Sequence, residues 1–295
     1  MASRNSSEII TEISPYIRVY KDGTVERMIG SPFVLPSFED PITAVSSKDI
    51  NISSDVSARL YLPKITDPSE EKLPILIYFH GGGFFLESAF SFLNHRYLNL
   101  LVSQAKVLAI SVEYRLAPEH PLPVCYNDSM TALQWVASHV VENSINTDKL
   151  DPWLLNHGNF NKLYMGGDSA GANIVHNLAI RAGIETLPGD VKITERNRRK
   201  EEQSDQYRIW LFVYPSVPGG IDNPMINPLS EDAPSSTGLA CQKLFVSVAE
   251  KDGLRQMGEV DLIDVEGEGH CFQIVDTNKE KSKNLISHIE SFIRD

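Results

Sequence analysis

The run LYMGGDSAGAN contains Gly167-Asp168-Ser169-Ala170-Gly171, a G-x-S-x-G pattern between an apolar strand-like stretch and an amphipathic helical one. That context is what a nucleophile elbow requires, because the serine must sit exposed on a sharp strand-to-helix turn. The turn is tight enough that a side chain at either flanking glycine would meet neighbouring backbone. Ser169 is therefore the candidate nucleophile. A second segment, His80-Gly81-Gly82-Gly83, directly follows the strand pattern LPILIYF. Consecutive glycines leave backbone N–H groups free to converge on one point, which suits a tetrahedral oxyanion, where one lost donor raises the barrier by about 2.7–4 kcal/mol. A phosphate cradle is the rival use of such a loop. The Lys-Ser/Thr of a P-loop is missing, however, and the glycine spacing is not that of a dinucleotide fingerprint. His80 reads as a structural hydrogen-bonding residue.

A serine hydroxyl needs a base, and the base needs an orienting acid, in the chain order Ser, Asp or Glu, His. Of the eight histidines, His270 and His288 follow a suitable acid late in the chain. His288 lies opposite the apolar stripe of the last helical pattern, so it reads as a solvated face. His270 sits in EGEGHCF just beyond the strand pattern VDLIDV, at a strand end where catalytic loops collect. For the acid, Asp252 follows KLFVSVAEK at the end of the preceding strand, whereas Asp261 and Asp264 lie inside a strand and Asp222 in a Pro/Gly-rich loop. The favoured triad is Ser169, His270 and Asp252.

These residues need a rigid frame, and the apolar pattern supplies one. SARLYL alternates like a half-buried strand, and LPILIYF, KVLAISV and KLYMGG have the length and β-branched content of buried parallel strands. Between them Met130, Leu133, Ala137 and Val140, and then Ile174, Val175, Leu178 and Ala182, recur at helical spacing, with Gly183 at the expected stop. Leu285, Ile286, Ile289, Phe292 and Ile293 repeat the pattern at the C-terminus. Strands alternating with helices predict an α/β fold with a mostly parallel sheet flanked by helices. Residues 1–295 read as one domain. Glu8–Ile17 is expected to form a short amphipathic helix interrupted by Pro15, and residues 192–208 (KITERNRRKEEQSDQYR) a charged, solvated loop.

Composition narrows the chemistry. With 27 basic and 39 acidic residues the formal net charge is −12, so the chain has no general attraction for phosphate backbones or anionic lipid. No apolar stretch reaches the length of a membrane span, and the polar N-terminus MASRNSSEII is unlike a signal peptide. Cys125, Cys241 and Cys271 are an odd count without metal-ligand spacing, which reads as free thiols in a cytosolic protein. No cofactor or metal is expected, and the expected partner is a small-molecule ester.

HGGGF, EYRLAPEHPLP, GGDSAGAN, GGIDNPMINP, VAEKD-x-LR and the EGxxH segment together resemble the plant carboxylesterases of the hormone-sensitive-lipase-like group of α/β hydrolases. ISPYIRVYKDGTVER extends the likeness to the N-terminus, and ESAFSFLNHRYLN and PWLLNH resemble the branch that includes 2-hydroxyisoflavanone dehydratase. The resemblance implies the α/β-hydrolase fold, with residues 1–30 as a helical cap over the pocket. It implies Ser169 as nucleophile, Asp252 and His270 as its partners, and the N–H groups of Gly82, Gly83 and Ala170 as the oxyanion hole. The dehydratases carry threonine at the nucleophile position, so Asp168-Ser169 resembles an ordinary esterase. The gibberellin receptors of the family lack the histidine that is present here as His270. A dehydratase and a catalytically impaired ligand-binding relative are the alternatives to an esterase.

Two internal segments look absent against that pattern, as in a shortened product of a carboxylesterase gene. After the nucleophile helix, LPGDVKI runs straight into TERNRRKEEQSDQ where the family has a core strand. The run Ile209–Tyr214 could stand in for it, whereas the resemblance places that run in a helix over the pocket. The second gap follows from geometry. Parallel strands need a crossover of about a dozen residues. Only residues 253–258 separate Asp252 from a strand expected to begin near Glu259. Six residues span at most about 21 Å. A hairpin would be the easier connection, and it would carry His270 to the opposite edge of the sheet from Asp252.

Overall fold

The computed structural model describes residues 8–66, 71–140, 150–184, 205–228, 230, 232–234, 243–252 and 263–294. Its core is a five-stranded sheet built from β4 (Ser46–Asn51), β5 (Ser57–Leu62), β6 (Leu73–Phe79), β7 (Leu108–Glu113) and β8 (Gly158–Gly167), preceded by β1 to β3 at the N-terminus. The strand order is β4-β5-β7-β6-β8. β4, β5 and β7 pair antiparallel, while β6 pairs parallel with both β7 and β8, so the sheet is mixed and its parallel half leads into the candidate site.

Alternation along β6 explains the layers, because successive side chains leave opposite faces of a strand. Ile75, Ile77 and Phe79 pack on one face with Met130, Leu133 and Val136 of α2 (Val124–Ser138) and Ile174 and Leu178 of α4 (Ala170–Ile184). Leu76 and Tyr78 pack on the other with Leu98, Leu101 and Val102 of α1 (Phe92–Ala105) and Ile286 and Ile293 of α7 (Glu280–Arg294). Burying such an aliphatic side chain completely contributes about 1.5–3 kcal/mol. A short α3 (Pro152–His157) feeds β8, its Asp151 cap accepting from the Trp153 N–H at 2.8 Å.

The N-terminal segment differs from expectation. It is no helix but a three-stranded antiparallel sheet of β1 (Ile9–Ile13), β2 (Ile17–Tyr20) and β3 (Val25–Arg27). Ile9, Ile10, Thr11, Ile13, Ile17 and Val19 are β-branched and lose χ1 freedom in a helix, while Pro15 falls in the turn between strands where its missing N–H is harmless. The helical cap is thus a β cap. Of the charged stretch 192–208, residues 192–204 lie outside the described residues, and the last four belong to α5 (Asp205–Val213) rather than to a loop. The run Ile209–Tyr214 is therefore helical, with Trp210 and Val213 buried, and does not replace a core strand.

β9 (Ser247–Ala249) and β10 (Ile263–Val265) form a separate two-stranded sheet. Among the described residues no strand joins them to β8. α7 spans the gap. Its Leu285 packs against Ala249 and against Phe272 of α6 (Phe272–Val275). Phe292 lies 6.1 Å from the Tyr164 ring of β8 and 5.6 Å from Phe245. The Tyr164 hydroxyl donates to the Ile293 carbonyl at 3.0 Å.

Candidate active site

β8 ends at Gly167 and α4 begins at Ala170, so Ser169 occupies the bend between them with φ +50. A non-glycine residue in the left-handed region costs of order 1–3 kcal/mol and persists only where the surroundings impose it. Here they do. A Cβ on Gly167 would lie 2.7 Å from the Phe79 carbonyl oxygen, and one on Gly171 would overlap that same carbonyl. The two glycines let α4 settle against the end of β6, and the serine between them is forced out.

β9 and β10 run parallel, with Ile263 opposite Ser247 and Val265 opposite Ala249. The expected hairpin and the separation of His270 from Asp252 are therefore overturned. The described pairing ends at Ala249 and resumes at Ile263, with thirteen residues, 250–262, between them in sequence. That length meets the dozen or so that a parallel crossover needs. Residues 253–262 of this connection lie outside the described residues. Both loops emerge at one edge. His270 Nδ1 lies 2.7 Å from Asp252 Oδ2, and His270 Nε2 lies 2.8 Å from Ser169 Oγ. With the hydrogen on Nδ1 the imidazole donates to the carboxylate and accepts from the serine hydroxyl, the arrangement in which Nε2 can take a proton. The His270 side chain is 42% exposed and Asp252 11%, so the imidazole edge is open to an incoming molecule.

The other acids and histidine weighed from sequence stand apart from this line. Asp222 closes a 3-10 turn at Gly220–Asp222, Asp264 lies within β10, and His288 is exposed on α7. Asp261 lies outside the described residues, as does Cys241.

The glycine loop lies beside the elbow through a residue that the sequence reading passed over. Asp168 is half-buried, accepting from the Tyr78 hydroxyl at 2.7 Å and the Gly81 N–H at 3.0 Å, with Cys271 Sγ 3.5 Å from its other oxygen. Burial holds this carboxyl above its ordinary range, against the lowering effect of those donors. Its signal was its place inside the motif, between Gly167 and Ser169. Gly82 and Gly83 take φ +102 and +62. Among the described residues the N–H groups of Gly82, Gly83 and Ala170 have no acceptor. Phe84 packs on Tyr126 and Trp210, and Phe85 on Tyr16 and Phe212, so the β cap and α5 both converge next to the glycines. Among the described residues no group of three or more His, Cys, Asp and Glu side chains is placed to hold a metal ion.

A mixed sheet with helices on both faces and a serine at a strand-to-helix elbow define an α/β hydrolase. Residues 76–274 match the family described by the α/β-hydrolase fold. The chain is 50% identical to a 2-hydroxyisoflavanone dehydratase of Glycyrrhiza echinata over 324 aligned positions, covering 99% of this chain and 98% of that one. It is 37% identical to a probable carboxylesterase 13 of Arabidopsis thaliana, covering 98% of each. A hyperthermophilic esterase from the archaeon Pyrobaculum calidifontis superposes with a TM-score of 0.60 at 25% identity, over 86% of this chain and 83% of that one. The chain belongs to the α/β-hydrolase-fold family and is a hydrolase of carboxylesterase type. An alignment of 324 positions against a chain of 295 residues leaves at least 29 positions with no residue here. Because both chains are covered almost end to end, those positions are overwhelmingly internal.

Proposed function

We propose that this chain hydrolyses carboxylic esters with Ser169 as nucleophile, His270 as general base and acid, and Asp252 as the group that fixes the imidazole tautomer. The observation that carries the reading is the unbroken line from Ser169 Oγ through His270 to Asp252, at 2.8 and 2.7 Å. Ser169 Oγ attacks the ester carbonyl carbon while His270 Nε2 takes the hydroxyl proton. The carbonyl oxygen becomes an oxyanion that accepts from the N–H groups of Gly82, Gly83 and Ala170. Collapse breaks the bond to the alkoxy oxygen, which leaves as the alcohol with the proton from His270. Water attacks the acyl-serine by the same relay and releases the acid. Phe84, next to the glycines and packed with Tyr126 and Trp210, gives the site an apolar neighbour, which suits short acyl or aromatic esters.

A second reading is favoured by the 50% identity to a dehydratase. In it the same base and oxyanion donors assist loss of water from an isoflavanone-like substrate. Net acidity argues against nucleic acid as a partner, and among the described residues no helix is long and apolar enough to cross a membrane. The free thiols Cys125 and Cys271 fit a reducing cytosol.

The test is p-nitrophenyl acetate hydrolysis by the purified protein beside its Ser169→Ala variant. Turnover by the first and none by the second supports the esterase. An organophosphonate probe that leaves Ser169 unlabelled would indicate a ligand-binding protein. Mass spectrometry separates the two enzymes, since ester cleavage adds water and dehydration removes it.

A further inference from the structure

Glu113 ends β7, and the register that pairs Phe79 with Val112 sets it beside His80 at the end of β6. Its Oε2 accepts from the Ala89 N–H at 2.6 Å and from the Ser88 hydroxyl at 2.8 Å. Those donors terminate the segment that starts with the oxyanion glycines. Within it the Phe85 and Leu86 N–H groups close a turn on the Gly82 carbonyl, at 3.1 and 2.9 Å. The glycine loop is thus tied at its start by Asp168 on Gly81 and at its end by Glu113 on Ser88 and Ala89. Between them Glu87 takes φ +63, its carboxylate accepting from the Ser31 N–H and the Ser91 hydroxyl at 2.9 and 2.6 Å. A strained residue there needs both ties.

The surroundings of Glu113 are unusual for a carboxylate. Burial pushes it up to about 7, Asp49 on β4 acts in the same direction, and its two donors and Arg59 on β5 oppose them. Arg59 is itself engaged by Asp49 at 2.6 Å. His80 is pushed down to about 4 by burial and so stays a neutral imidazole. Its Nδ1 lies 2.8 Å from the Gly81 carbonyl, which places the hydrogen there. Nε2 is then a bare lone pair, buried without a hydrogen-bond partner and 4.0 Å from Glu113 Oε2. Tyr114 stacks on the His80 ring at 4.3 Å and donates its hydroxyl to the His80 carbonyl at 2.6 Å. Glu113 also lines a cavity of about 820 Å³ with Ser57, Glu87, Arg115 and Glu119. In it Arg115 is neutralised by Asp128 and Glu119 by Arg27. Through that cavity the carboxyl exchanges protons with solvent.

We infer that Glu113 is a positioning residue that holds the oxyanion loop while ionised and loosens it when protonated. This rests on the ester-cleaving reading above. As a carboxylate, Glu113 accepts from both Ala89 and Ser88. A proton taken from solvent leaves fewer lone pairs for the loop, and the new O–H reaches the bare His80 Nε2, 4.0 Å from Oε2, only if the carboxyl swings toward it and away from Ser88 and Ala89. The donors at Gly82 and Gly83 then lose their fixed aim, and turnover falls although Ser169, His270 and Asp252 are untouched.

The experiment is the pH dependence of kcat/KM for p-nitrophenyl acetate in the wild type and in Glu113→Gln. The acid limb of the wild type is expected to fall more steeply than one proton on the catalytic imidazole allows, because protonating Glu113 adds a further drop of ~10-fold. That of Glu113→Gln falls with the steepness of one, and its kcat is lower by ~10-fold, with KM little moved, because a positioned loop has been slackened. Acid limbs of equal steepness in the wild type and the variant overturn the proposal. A second readout needs no turnover. The infrared carbonyl band of a protonated carboxyl is followed through neutral pH in Ser169→Ala and in the Ser169→Ala, Glu113→Gln double variant. A band that titrates only in the first supports the Glu113 switch, even if the wild type proves to hydrolyse no ester and the function above fails. Its absence from both overturns the switch whatever the activity.

Discussion

Cys271 Sγ rests 3.5 Å from Asp168 Oδ2, so the residue after the imidazole touches the residue before the nucleophile. Through Asp168 the elbow, the glycine loop at Gly81, the hydroxyl of Tyr78 and the histidine loop share one carboxyl. Cys271 is held at φ +52, and burial together with the Asp168 charge pushes its thiol up, so it stays protonated and able to donate. Asp168→Asn keeps one accepting oxygen but turns an N–H₂ toward either Cys271 or Gly81. It is expected to lower kcat by ~10–100-fold through misplacement of the loops, with KM within about twofold. Steady-state kinetics check it, and a change confined to KM would show that Asp168 does not position the reacting groups.

Asp252→Asn tests the orienting acid. The amide can still meet His270 Nδ1, but by donating to it, which moves the imidazole hydrogen to Nε2 and leaves Ser169 without an acceptor. A loss of ~10⁴-fold in kcat is expected. Retained activity would mean that another carboxylate serves His270.

Much of this was legible before the structure. β5 and β6 occupy the residues that their apolar patterns marked, because a strand packed on the core must carry apolar side chains at the positions it buries. Ser169 and the glycine loop were legible because their chemistry demands fixed local spacing. Asp168 and Glu113 were not, since their roles depend on partners 87 and 24 residues distant in sequence that only the sheet register brings near. The N-terminal strands were misread because four isoleucines fit a helical stripe and a β ribbon equally, and pairing with β3 decides between them. The β9–β10 connection was misjudged because the expectation counted the strand from near Glu259, whereas the described pairing runs from Ile263 to Val265 and is parallel.

Gly171→Ala probes the packing that extrudes Ser169. The added methyl would enter the space of the Phe79 carbonyl, which belongs to the core strand β6 and has no room to retreat. Backbone displacement of this kind destabilises by ~3 kcal/mol, and equilibrium urea unfolding should show it together with a near-complete loss of turnover. Wild-type stability in this variant would mean that the elbow has slack.

Acid should weaken the fold from pH 6.5 downward. His80 is fully buried and has its pKa lowered to about 4, while in the unfolded chain it binds a proton near 6.5. Between those values the unfolded state takes up a proton that the folded state refuses, so stability falls with pH by up to ~1.4 kcal/mol per unit. His95, lowered to about 4 by burial and Arg59, acts in the same direction. Glu113 opposes them. Its folded value near 7 exceeds the ordinary 4.5, so its contribution is complete below 4.5 and is lost as pH rises to 7. Urea unfolding at pH 4.5 and 7.5 should show a smaller difference for His80→Asn than for the wild type, by roughly 2–3 kcal/mol. An equal difference would place the acid sensitivity elsewhere.

α7 is the joint on which the candidate site depends most. Asp252 and His270 lie in the loops that follow the two strands of a sheet sharing no backbone hydrogen bond with β8 among the described residues. An isolated strand pair of three residues each is not stable by itself. Its alignment with Ser169 must come from side-chain packing, and Leu285 on one side and Ile286 and Ile293 on the other supply it. Ile286→Ala removes a side chain that is only 2% exposed and should destabilise by ~2–5 kcal/mol. The loss falls between the sheets rather than within either. Turnover should therefore disappear at lower urea than the far-ultraviolet circular dichroism of the main sheet, with Tyr164→Phe giving a smaller shift in the same sense. Coincident transitions in Ile286→Ala would show that the two sheets unfold as one unit and that the joint is not the weak point of the site.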